Sequence, residues 1–156
     1  MRKRSNYRPK GVRLDVMTWM LQGMVPIRHV KDQIFTLRIK NHDALKNACQ
    51  GVATRANMNT LFAAMNMAEA LVTVANLGNE YAAEVRAGLD ALDSMGKRGL
   101  AKGDHFIFTA PELNAVNLAM EIHDAQIDIC TVAELEKCVD RVVEADRNGT
   151  ARKLRP

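Results

Sequence analysis

Between Arg55 and Glu80 the chain carries one charge, Glu69, and within that span Leu61, Ala64, Met65, Ala68, Leu71, Val72 and Ala75 recur at helical spacing up to Gly78. A helix with one strong apolar face and almost no charge belongs at the buried centre of a helical bundle, where neighbours cover it on several sides. Seven aromatics against nine Met and many Ala argue the same way, because small and flexible side chains suit close helix packing better than a β-sandwich. The expected fold is therefore all-α: a helical bundle of five or six helices with basic terminal arms and at most a minor β element.

The remaining segments supply the neighbours. An apolar stretch from Leu14 to Leu21 around Trp19 is closed by Gly23 and Pro26. Val30, Ile34, Leu37, Ala44, Leu45 and Ala48 form a second helical stripe, on which Asn41 falls, so a break at Asn41-His42-Asp43 with Asn41 as cap is expected. A helix starting near Asn79 turns Tyr81, Val85, Gly88, Leu92 and Met95 inward and Arg86, Asp90, Asp93 and Lys97 outward, and Gly96 begins its unravelling. His105-Phe106-Ile107-Phe108 is the one good strand candidate, with residues 11–16 as its partner. Two capping boxes, Thr109 with Glu112 and Thr131 with Glu134, start the last two helices. The first of these, about Ala110 to Cys130, has two apolar faces: Leu113, Val116, Met120 and Ile127 on one side, Leu118, Ile122 and Ile129 on the other. Such a helix sits centrally in the monomer or closes a homo-oligomer. The last helix points Val132, Leu135, Val139, Val142 and Val143 inward and ends near Asn148-Gly149.

At 156 residues the chain fits one compact domain that folds without metal or disulfide. Its organisation is a basic arm over 1–13, a helical domain over 14–149 and a basic tail over 150–156. Cys49, Cys130 and Cys138 are odd in number and form no C-x-x-C pair, which reads as reduced thiols of a cytoplasmic protein. No apolar run reaches membrane-spanning length and the N-terminal pattern is not that of a signal peptide.

Charge is strongly segregated. Arg2, Lys3, Arg4, Arg8, Lys10 and Arg13 open the chain without an acid, and Arg147, Arg152, Lys153 and Arg155 close it without one. The 12 basic residues left between these segments face all 18 acids, so basic ends flank an acidic body. Cationic segments of this density steer anionic partners, and Tyr7 within the arm adds a stacking group for an unpaired base. Gly96-Lys97-Arg98-Gly99-Leu100-Ala101-Lys102-Gly103 places three glycines and three cations after a helix and reads as a flexible basic loop. Its Gly-x-x-Gly opening matches the backbone-gripping loop of KH domains, but the surrounding α/β sheet is absent and no Walker ending follows. The function that results is non-catalytic nucleic-acid binding, salt-sensitive and largely sequence-independent. Arg2, Lys3, Arg4, Tyr7, Arg8, Lys10 and Arg13 act in the arm, with Lys97, Arg98, Lys102, Arg152, Lys153 and Arg155 assisting.

The rival is a protein-binding module. Asn114, Asn117, Glu121, Asp124 and Asp128 make one polar stripe, and Glu121, Asp124 and Asp128 suit a basic surface on another protein. His29, His42, His105 and His123 are scattered, with no metal spacing or nucleophilic triad linking them, so neither cofactor nor metal is expected and catalysis is disfavoured. An enzyme gains ground if His123, His42 and several carboxylates meet in one pocket.

The opening Arg2-Lys3-Arg4-Ser5-x-Tyr7-Arg8-Pro9-Lys10-Gly11, with Ile39-Lys40-Asn41-His42-Asp43-Ala44-Leu45 and Ala53-Thr54-Arg55 downstream, resembles uncharacterised small proteins encoded by bacteriophages and prophages. The resemblance carries no activity and no functional residues. It implies the cytoplasm of a bacterial host, where such proteins bind nucleic acid, assemble particles or disable host machinery.

Overall fold

The structure, a computed structural model, describes Gly23, Met24, Pro26 and residues 31–155. Over that range it is an all-α bundle of five α-helices and one 3-10 turn: α1 (Lys31–Cys49), α2 (Arg55–Thr73), the turn Asn79–Tyr81, α3 (Ala82–Ala101), α4 (Ala110–Ile129) and α5 (Val132–Arg147). The stretch around Trp19, the pairing segment 11–16, the arm cations Arg2, Lys3, Arg4, Arg8, Lys10 and Arg13, and Tyr7 lie outside the described residues.

The charge-poor segment becomes α2, the centre of the bundle, and it packs against each of the other four helices. Leu61, Met65, Ala68 and Leu71 have no accessible surface, and Thr54 caps the helix by exchanging hydrogen bonds with Asn57. The two capping boxes that open α4 and α5 form as the spacing requires: each threonine hydroxyl accepts from the N3 backbone, and Glu112 and Glu134 accept from the threonine N–H groups at 2.8 Å. Gln126, buried in α4, donates to the carbonyls of Ala68 and Leu77 at 3.2 and 2.9 Å, which ties α4 to the C-terminal end of α2.

Four local expectations are corrected and one open alternative is narrowed. α1 runs unbroken through Asn41, which is 3% exposed, so the polar residue is held inside the helix by its surroundings instead of capping a second one. Gly96 does not start an unravelling, and residues 96–101 remain helical. The glycines here serve packing: a Cβ on Gly96 would lie 2.9 Å from Leu154 Cδ1, and one on Gly99 would stand 2.2 Å from Phe106 Cδ1. Residues 105–108 form no strand, because Phe106 is drawn onto Gly99 and Thr109 opens α4 immediately, leaving an isolated bridge between Ala53 and Phe106. The second face of α4 is not central: Ile122 is buried, whereas Leu118 and Ile129 are 45% and 63% exposed. On α5, Val139 and Val143 likewise remain exposed, and Cys138 is its one buried residue.

A third glycine sets the tightest helix crossing. At Gly88, α3 meets α4 so closely that an added Cβ would stand 2.5 Å from Ala119 Cβ and 3.4 Å from the Ala115 carbonyl oxygen. No helix among the described residues is long and apolar enough to cross a membrane. Cys49 is exposed, while Cys130 and Cys138 are buried as free thiols, and burial pushes Cys130 up to about 11.

Candidate nucleic-acid interface

The C-terminal segment is built into the fold. α5 ends at Arg147, Gly149 takes a left-handed turn at φ +70° that favours glycine, and the N–H groups of Thr150 and Ala151 both return to the Ala145 carbonyl at 2.8 and 3.0 Å. Ala151 is buried, and the chain then crosses α2 and α3. Asn66 of α2 holds the Arg152 backbone through both its N–H and its carbonyl. Leu154 enters the notch that Gly96 leaves on α3.

That path brings four cations together around an open cavity of about 370 Å³. Lys97 comes from α3, and Arg152, Lys153 and Arg155 come from the tail, with the backbone of Gly149 to Ala151 along one wall. Their charges are not equivalent. Arg152 donates to Asp90 and, at 3.2 Å, to Asp93, an arrangement that raises its pKa further through the Asp90 bond despite the opposing effect of burial. Lys153 donates to Asp146 at 2.9 Å, and this bond holds the Asp146 carboxyl below its ordinary range. Arg155 donates to the carbonyls of Gly149 and Ala151, which orient the guanidinium without neutralising it. Lys97 is exposed and has no ion pair among the described residues. Among the described residues Arg155 and Lys97 are thus the two cations of this cavity without a carboxylate partner, and they offer charge to an incoming anion.

The other expected cations do not join them. Arg98 lies on a different face of α3 and makes a two-point bond to Glu112, at 2.8 and 2.6 Å, and a third to the Ile107 carbonyl. The Arg98 bond draws the Glu112 carboxyl down to about 2 against the opposing effect of burial, helped by Thr109, so Arg98 is a support for the α4 cap. Lys102 is exposed at the end of α3 and does not line the cavity. The arm residues lie outside the described range.

The acidic stripe is engaged within the chain. Arg38 of α1 donates to Asp128 at 2.6 Å and to the Asp124 carbonyl at 2.8 Å, and His42 shares a 2.7 Å hydrogen bond with the Asp124 carboxylate. Both pairs are four residues apart, so Arg38 and His42 on one helix meet two carboxylates on another in register. Glu121 stays exposed beyond this clamp. His123 faces elsewhere. It is 2% exposed, and burial holds it down to about 4, with Asp124 opposing and Arg38 and His42 reinforcing the shift. The cavity that His123 lines has neither His42 nor a carboxylate among its described walls, and among the described residues no group of three or more His, Cys, Asp or Glu is placed to hold a metal.

Sequence reading missed Asn66, Asp90, Asp93 and Asp146 as the groups that position the tail. The signal was present in outline, as carboxylates on helix faces and a tail without acids, but the partners of Arg152 lie 59 to 86 positions away, and only Asp146, seven residues before Lys153, is near in sequence. Comparison with protein-family models, with curated proteins and with solved structures finds no match to this chain.

Proposed function

We propose that this is a non-catalytic accessory protein that binds nucleic acid through its sugar-phosphate backbone. The observation that carries the reading is the convergence of Lys97 and Arg155 at one cavity, both without carboxylate partners among the described residues, beside the anchored Arg152 and Lys153. In this reading the cavity receives a phosphate, and Arg2, Lys3, Arg4, Arg8, Lys10 and Arg13 follow the adjoining backbone while Tyr7 stacks on an exposed base. Backbone contacts position a strand without reading its sequence, so little base preference is expected. The setting suggested by the resemblance to phage-encoded proteins accommodates this role.

The acidic stripe supports a protein-binding reading less well, since Asp124 and Asp128 are already occupied by Arg38 and His42.

The test is fluorescence anisotropy with labelled single- and double-stranded DNA and RNA. Lys97→Glu with Arg155→Glu is expected to weaken binding about tenfold or more at low salt, as loss of charge-assisted contacts would. Lys97→Glu alone keeps the thermal unfolding temperature, because Lys97 is exposed and has no ion pair among the described residues, whereas Arg155→Glu also gives up the bonds to the Gly149 and Ala151 carbonyls, so the single Lys97 variant separates lost binding from lost stability. Unchanged affinity in the variant overturns the assignment of the cavity.

A further inference from the structure

Three polar residues are buried among the described side chains: Asn41, His123 and Gln126. Gln126 is explained by its two carbonyl partners. The other two meet at a separate, open-mouthed cavity of about 210 Å³ lined by α1, α2 and α4. Buried polar groups are costly unless bonded, and His123 Nδ1 is sealed from solvent with no hydrogen-bond partner among the described residues.

We infer that this cavity is a binding site for a small monocarboxylate with an apolar body of about benzoate size. The walls supply the apolar half: Leu37, Ala63, Ala64 and Met67 line the space. A cavity of about 150 Å³ accepts benzene, so 210 Å³ admits a ring together with a small polar substituent. Of the polar residues in the lining, Lys40, Asn41 and His123 can donate, the Thr60 hydroxyl already donates to the Ala56 carbonyl, and no carboxylate lines the space. A neutral imidazole carries one N–H, and placing it on the sealed Nδ1 would orphan a donor, so the proton belongs on Nε2. That leaves Nε2–H as the group this ring offers a ligand, with the exposed Lys40 to balance a negative charge. An acceptor-only, singly charged group on an apolar body matches that set. The site is distinct from the basic cavity and does not depend on the nucleic-acid reading.

The experiment uses the full chain with labelled methionine methyls, titrated with benzoate and, separately, with toluene. Benzoate is expected to shift the Met67 methyl saturably, and toluene to bind about tenfold more weakly for want of the charge-assisted bond. His123→Phe lowers benzoate affinity about tenfold while leaving toluene binding in place. Ala63→Phe, at an exposed part of the wall where the fold tolerates it, fills the cavity and abolishes both. Shifts that never saturate, equal affinity for the two probes, benzoate binding unaltered by His123→Phe, or benzoate binding that survives Ala63→Phe would each overturn the site. If His123→Phe does not fold, the Ala63→Phe comparison decides.

Discussion

Asn66 and Arg152 form a closed two-bond ring across 86 residues of sequence: Asn66 Nδ2 donates to the Arg152 carbonyl at 2.7 Å, and the Arg152 N–H donates to Asn66 Oδ1 at 3.3 Å. An amide side chain here pairs with an extended backbone much as a neighbouring strand would, and it fixes the tail to one register. The positions of Arg152, Lys153 and Arg155 around their cavity follow from that register, and so does the seating of Leu154 against Gly96.

Asn66→Ala removes both bonds and leaves the Arg152 backbone groups to water. Global stability falls by about 1–2 kcal/mol. Hydrogen exchange at Ala151 and Arg152 accelerates well beyond that of the bundle core, because the tail opens before the helices do. Protection at these amides equal to that of the parent protein would show that Asn66 does not hold the tail.

The glycines of α3 rank by what surrounds them. Gly88→Ala gains up to about 1 kcal/mol of helix propensity but forces a methyl against Ala119, and close overpacking costs about 1–3 kcal/mol, so net destabilisation is expected. Ala119→Gly in the same chain relieves the contact and recovers much of the loss. Gly99→Ala is the most damaging, since the Phe106 ring crowds the added carbon's position, whereas at Gly96 the flexible end of Leu154 can give way. Urea unfolding midpoints of the four variants check the order.

Acid weakens the fold through two named groups. His123 has a folded pKa of about 4 against an ordinary 6.5, so the unfolded chain takes up its proton first and stability falls as pH drops from about 6.5 to 4. The full loss from this group is on the order of 3 kcal/mol. Glu112, drawn to about 2 from 4.5, stabilises the fold above its ordinary value and loses that contribution as pH falls from 4.5 toward 2. Its share is smaller than the shift implies, because Arg98 is about a third exposed and solvent screens the pair. Urea unfolding between pH 7 and 4 is therefore expected to show a steady decline that His123→Phe largely flattens, and an equal decline in both proteins would contradict the assignment.

What was legible in the sequence was local or periodic. Thr109-x-x-Glu112 and Thr131-x-x-Glu134 marked their helix starts because each box closes within one turn. The charge-poor run after Arg55 marked the centre of the bundle because its charge pattern reports burial directly. Asn41 and Gly96 misled for one shared reason. Each is a poor helix interior residue by propensity, yet each lies buried inside a continuous helix, Asn41 between α1 and its neighbours and Gly96 under Leu154. The interface cations were named individually, but residue type could not say which were neutralised. Arg98 and Lys97 are adjacent in sequence, and one turns to Glu112 while the other remains open to solvent.

The salt dependence of nucleic-acid affinity tests the central claim most directly. For a labelled single strand, log K plotted against log salt is expected to be steep and to lose up to about 4 units of slope when residues 1–13 are removed, at about 0.7 per phosphate contact. Lys97→Glu with Arg155→Glu removes about 1 unit more. Absence of binding at low salt, or a slope indifferent to both changes, would contradict a protein that holds the phosphate backbone with its terminal cations.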